Sequence, residues 1–98
     1  MYVGTLSCDF LLGDVRSLKE KRSVVRPIVA ELIRKYAVTA AEVGHQDLHR
    51  RAVIGLATVS GDAGHLTETL DRCERMLAAR PEVELLSVRR RIHHEDDE

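Results

Sequence analysis

The chain opens in strict alternation. Tyr2, Gly4, Leu6, Cys8, Phe10 and Leu12 fall on one side, and Val3, Thr5, Ser7 and Asp9 on the other, the period of a long strand with one buried face. Gly13-Asp14 breaks the pattern. Ser17 and Glu20 then form an S-x-x-E capping box. An apolar stripe follows at helical spacing through Leu18, Val25, Ile28, Val29, Leu32, Ile33 and Tyr36. Pro27 interrupts it, because proline lacks the N–H and clashes with the preceding turn. Residues 18–22 are therefore read as a short turn, and the helix as capped by Ser23, with Pro27 tolerated in its first turn. A single kinked helix over about 18–36 is the alternative.

Segments 38–45 and 51–60 are β-branched and apolar and flank the polar stretch Gln46-Asp47-Leu48-His49-Arg50. They predict two antiparallel strands joined by a short loop. Leu66, Leu70, Cys73 and Leu77 mark the core stripe of a helix over 63–79, stopped at Arg80-Pro81. Val83 to Ile92 reads as the last strand. The order β-α-β-β-α-β, with right-handed crossovers around a central hairpin, predicts an α+β ferredoxin-like sandwich. Its four-stranded antiparallel sheet carries two helices on one face. Residues 1–92 form one domain in this reading, and residues 93–98 an acidic disordered tail.

Composition narrows the class. A chain of 98 residues holds one domain with one modest core. Its 44% hydrophobic and 32% charged residues are a globular balance rather than a disordered one. No apolar run approaches the roughly 20 residues of a membrane span, and no basic signal-peptide start is present. Two cysteines in such a chain read as free thiols in a reducing cytoplasm, which excludes a disulfide scaffold or an iron–sulfur protein. Cys8 and Cys73 both fall in core stripes, where a thiol acts as a small hydrophobe.

The net charge of −1 hides an uneven distribution. Between Arg16 and Arg51, nine Lys and Arg residues stand against Glu20, Glu31, Glu42 and Asp47, a balance of +5. Such a stretch steers a polyanion to one face, or is simply solvated helix surface. Lys19, Lys21 and Arg22 sit where the first strand hands over to the first helix. Lys19 and Arg22 share a side, as do Arg22 and Arg26, while Lys21 points away from Lys19. Free N–H groups and the positive dipole end at a helix start suit a phosphate. His45, His49, Arg50 and Arg51 cluster on the hairpin, without the third ligand of a zinc set.

The opening MYVGTL, SLKEKRSVVRPI at 17–28, AEVG at 41–44 and DLHRRAVIG at 47–55 together resemble the YlxP-like family of small bacterial proteins. The similarity covers about residues 1–92, and SLKEKR is its most distinctive block. The resemblance implies a ferredoxin-like fold, a bacterial cytoplasmic home, and genes beside those for translation initiation and ribosome maturation. It implies no established reaction.

The residues exclude several activities that this architecture can host. An acylphosphatase-like site relies on an Arg and an Asn, and the chain has no Asn. A metal carrier needs a C-x-x-C, which is absent. The third strand carries no aromatic on which an RNA base could stack. No phosphate loop or paired carboxylate is visible. The expectation is a non-enzymatic protein without cofactor or metal, docking on structured RNA (not DNA) or a ribosomal particle. Lys19, Lys21, Arg22, Arg26, Arg50 and Arg51 would supply phosphate contacts and no base code. The alternative is a protein–protein interaction or regulatory module that binds no RNA. The third strand (Ala52 to Val59) is mostly small or β-branched and is uncharged on both sides, and that patch at the centre of the sheet face opposite the helices predicts a homodimer, formed by packing sheet faces or by pairing the edge strand at Val38–Gly44.

Overall fold

In the computed structural model, which describes residues 1–96, the alternating opening forms strand β1 (Tyr2–Leu12). Helix α1 (Leu18–Tyr36) follows, then β2 (Thr39–Gly44), β3 (Arg51–Ser60), α2 (Ala63–Ala78) and β4 (Val83–His94). The four strands make one antiparallel sheet in the order β2-β3-β1-β4, as the ferredoxin-like reading requires. Leu6, Cys8, Phe10 and Leu12 of β1 and Ala52, Ile54 and Leu56 of β3 turn to the helices and are buried. Val25, Ile28 and Leu32 of α1 and Leu66, Leu70, Cys73 and Leu77 of α2 close over them. α2 approaches β1 so closely that a Cβ at Gly4 would lie 2.8 Å from Leu70 Cδ1.

Two boundaries differ from the sequence reading. α1 does not begin at Ser23: it runs unbroken from Leu18, with Ser17 Oγ accepting from the Glu20 N–H at 3.1 Å. Pro27 sits inside it, on the exposed side, and so does Ser23, the residue whose carbonyl loses its partner. That orphan faces solvent, which limits the penalty of an internal proline. Ser23 instead donates its hydroxyl to the Glu20 carbonyl at 2.6 Å. At the other end, β4 continues through His93 and His94 rather than ending at Ile92, so these residues belong to the domain and not to a tail. The His94 ring stacks on Tyr2 at 4.4 Å. Residues 97–98 of the expected acidic tail lie outside the described residues.

Candidate anion-binding surface on the first helix

α1 has a buried stripe and a charged back. Lys19, Arg22 and Arg26 stand at steps of three and four on its exposed side, a ridge about 10 Å long. With Ser23 and Pro27 they line a shallow concavity of about 530 Å³. Arg22 and Arg26 also rim a neighbouring groove of about 380 Å³, floored by Val25, Val29, Ala30 and Ile33. Among the described residues none of the three cations has a carboxylate partner. Arg16, Arg51, Arg72, Arg80 and Arg90 are ion-paired within the chain, whereas Arg34, Lys35, Arg50, Arg75, Arg89 and Arg91 have no carboxylate partner among the described residues; the ridge differs from these in placing its cations at adjoining turns beside a concavity. The helix start beside the ridge is less bare than expected, since the Glu20 carboxylate accepts from the Arg16 N–H at 3.3 Å.

Lys21 does not belong to this surface. Its side chain is 2% exposed and points into the molecule. Nζ donates to the carbonyls of His45 (2.8 Å), Leu48 (2.7 Å) and Arg51 (3.1 Å), with that of Gln46 farther off at 3.4 Å. It also lies 2.7 Å from Glu42 Oε2, a buried oxygen with no other partner. The ammonium group thus gathers the whole β2–β3 loop under the first turns of α1, including His45 in the left-handed region at φ 55°. An ammonium so enclosed has no donor left for a phosphate.

The two hairpin arginines are also placed apart. Arg51 emerges on the open face of the sheet and grips Asp9 through Nε and Nη2, at 3.2 and 2.6 Å, with His45 Nε2 at 3.8 Å from the same carboxylate. Arg50 donates Nε to the carbonyls of Gly13 (2.8 Å) and Leu12 (3.3 Å) and lines a hollow shared with Glu82 and Glu84. Of the six residues expected to share a surface, the structure brings together Lys19, Arg22 and Arg26. The sequence reading missed Glu42 and Asp9 as internal partners. A signal existed for Lys21: extended backwards, the stripe 32, 28, 25 falls on residue 21 at steps of four, three and four.

The thiols are not poised for chemistry. Burial pushes Cys8 up to about 12, with Glu74 adding to the effect, and pushes Cys73 up to about 11. Neither is a thiolate near neutral pH, so both should resist a soluble thiol reagent at a pH of about 8 and react only on unfolding. Labelling of the native protein at the rate of the urea-unfolded chain would contradict this burial. Among the described residues no three His, Cys, Asp or Glu side chains gather as a metal set, and no helix is long and apolar enough to cross a membrane.

A family described as a protein of unknown function (DUF503) matches residues 3–90. The uncharacterized protein YlxP of Bacillus subtilis (strain 168) is 33% identical over 82 residues, 84% of this chain and 89% of that one. Among solved structures, a mutant of SnoaB, a cofactor-independent oxygenase from Streptomyces nogalater, aligns with a TM-score of 0.50. That likeness covers 98% of this chain and 95% of the other at 14% identity, and it shows the fold alone.

Proposed function

We propose, from the premise that the chain belongs to the DUF503 family, that it is a non-enzymatic cytoplasmic protein docking on structured RNA or a ribosomal particle through phosphate contacts. The observation that carries this reading is the ridge of Lys19, Arg22 and Arg26, three neighbouring cations that lack a carboxylate among the described residues. Cations left unpaired beside one another repel, and a polyanion laid along the helix relieves that repulsion while releasing its own counterions. No base code accompanies the ridge. Tyr2 and Phe10 lie on the helix side of the sheet, so among the described residues its open face carries no Phe, Tyr or Trp on which a base could stack. We take the binding unit to be a homodimer.

The test is the salt dependence of binding to a labelled RNA hairpin and to purified ribosomal particles. Replacing Lys19, Arg22 and Arg26 together by Ala should weaken binding across RNA sequences. The log–log salt slope should flatten by about 2–3 for each protomer that contacts the RNA, roughly one unit for each phosphate no longer neutralised. The melting curve should barely move, since all three side chains are exposed. Unchanged affinity and slope at every salt concentration would remove the ridge from RNA binding. The second reading, a protein-interaction module, would then lead, on the strength of the apolar groove beside the same helix.

A further inference from the structure

α1 carries more apolar surface than the core takes up. Val25, Ile28 and Leu32 are buried, but Ile33 is 47% exposed and Val29 is only half-buried. Arg22, Arg26, Val29 and Ile33 recur at steps of four, three and four, so they form one strip along the helix. This strip lines the groove of about 380 Å³ that α1 forms with Glu42 of β2. The groove changes character along its length. Arg22 and Arg26 stand at one end, without a carboxylate partner among the described residues, and Val29, Ala30 and Ile33 floor the other. Glu42 does not neutralise these arginines, because its carboxylate is held by Lys21 Nζ at 2.7 Å.

We propose that this groove binds a small amphiphilic anion, a medium-chain fatty carboxylate, with its head on Arg22 and Arg26 and its chain over Val29 and Ile33. Only a molecule with both ends satisfies both ends of the groove. A purely apolar ligand leaves the two guanidinium groups unpaired, and an inorganic anion leaves the floor in water. The reach agrees: Arg26 to Ile33 is about 10 Å along the axis, the length of a medium acyl chain. The size agrees as well. A volume of about 380 Å³ lies within the roughly 300–1,000 Å³ of small-ligand sites. A protein partner, with about 20–30 residues a side in a standard interface, would use the groove only as part of a wider contact. An added strand is opposed by the bulge in β2 between Glu42 and Gly44. A second copy paired antiparallel there would set Arg22 and Arg26 against the basic last turn of its α1, Arg34 and Lys35. Binding of the carboxylate does not depend on RNA. One consequence does rest on the RNA reading: the ligand would occupy two of the three ridge cations and so compete with RNA.

The experiment titrates the full chain with decanoate, below its micelle concentration and near neutral pH, and follows the backbone amide shifts. Saturable shifts should centre on residues 22–33 and on Glu42. Acetate, which lacks the chain, and 1-decanol, which lacks the charge, should each bind at least tenfold more weakly. Octanoate should bind about four- to fifteenfold more weakly, the range for losing two half-buried to fully buried methylenes. Ile33→Gln and the double variant Arg22→Gln/Arg26→Gln should each weaken decanoate binding at least fivefold, whereas Lys19→Gln should match the parent. These positions are exposed, so all the variants should keep the parent's melting curve. Absence of saturable shifts overturns the proposal. So do shifts that acetate reproduces, decanol binding as tight as decanoate, or undiminished binding by Ile33→Gln. Shifts of the same groove residues on dilution without ligand would assign the groove to a second copy and overturn it too. Hairpin RNA binding, measured with saturating decanoate or with equal acetate, separates this proposal from the RNA reading. Weaker RNA binding in decanoate supports shared cations, and unchanged RNA binding beside tight decanoate binding supports the groove and counts against the ridge.

Discussion

Replacing Lys21 by Met is expected to destabilise the protein by about 3–5 kcal/mol, the range for removing one partner of a buried charge pair. The effect has two sources. Glu42 Oε2 is left buried with no counter-charge, and the loop carbonyls of His45, Leu48 and Arg51 lose their shared donor. Against a total stability of about 5–10 kcal/mol for a domain this size, much of the folded margin disappears. Lys19→Met, two residues away and exposed, should shift stability by no more than about 0.5 kcal/mol. Adding Glu42→Leu to Lys21→Met should recover a large part of the loss, since the second change removes the stranded carboxylate. Urea denaturation of the four proteins decides the matter. If Lys21→Met unfolds at the same midpoint as Lys19→Met, the ammonium does not hold the loop. The result also bears on the RNA reading, because a triple variant that included Lys21 would lose binding merely by unfolding.

Three of the segments that carry the resemblance to the YlxP-like family meet at this one group. Lys21 comes from SLKEKR, Glu42 from AEVG, and the carbonyls of Leu48 and Arg51 from DLHRRAVIG. The block that looks most like a phosphate-binding motif therefore divides on the helix. Lys19 and Arg22 stay outside while Lys21 turns in. The helical stripe reaches position 21, but the compensation that lets a lysine occupy it comes from a carboxylate on a separate strand, which patterning along the helix does not show. Period-two alternation puts Glu42 on the same side as Ala40, toward the helices. That placement became visible only once the register against β3 was known.

The fold was far more legible than the site. β1 and β3 alternate cleanly, and their predicted limits hold. Asp62 caps α2 by accepting from the Gly64 N–H at 2.8 Å. Pro27 misled because its missing hydrogen bond was judged alone. The stripe Val25, Ile28, Leu32 and the anchoring of Lys21 hold both sides of the proline to one axis. His93 and His94 were assigned to a tail on composition, whereas β1 begins at Tyr2 and offers them a ladder partner to its very start. Arg51 shows the same limit as Lys21: the sequence identifies a cation, and only the sheet register shows Asp9 two strand positions from Leu11 waiting beside it.

Leu70→Ala tests the packing that carries all of this, and it should cost about 2–5 kcal/mol, since Leu70 is 0% exposed and the site can collapse only partly. The contact with Gly4 makes the prediction sharper than a simple loss. Gly4→Ala in the parent would place its Cβ 2.8 Å from Leu70 Cδ1 and 3.2 Å from Leu66, so these buried leucine side chains must shift, and it should destabilise by about 1–3 kcal/mol. With Leu70 already shortened to Ala, the tightest of those clashes no longer exists and the added methyl occupies part of the vacated space. The double variant should then be more stable than the sum of the single losses implies, with a coupling of about 1 kcal/mol or more. Thermal and urea melts of the four proteins measure it. Strict additivity would mean that α2 does not press Leu70 onto β1 at Gly4. An unmoved midpoint in Leu70→Ala alone would mean that the stripe Leu66, Leu70, Cys73, Leu77 does not face the core.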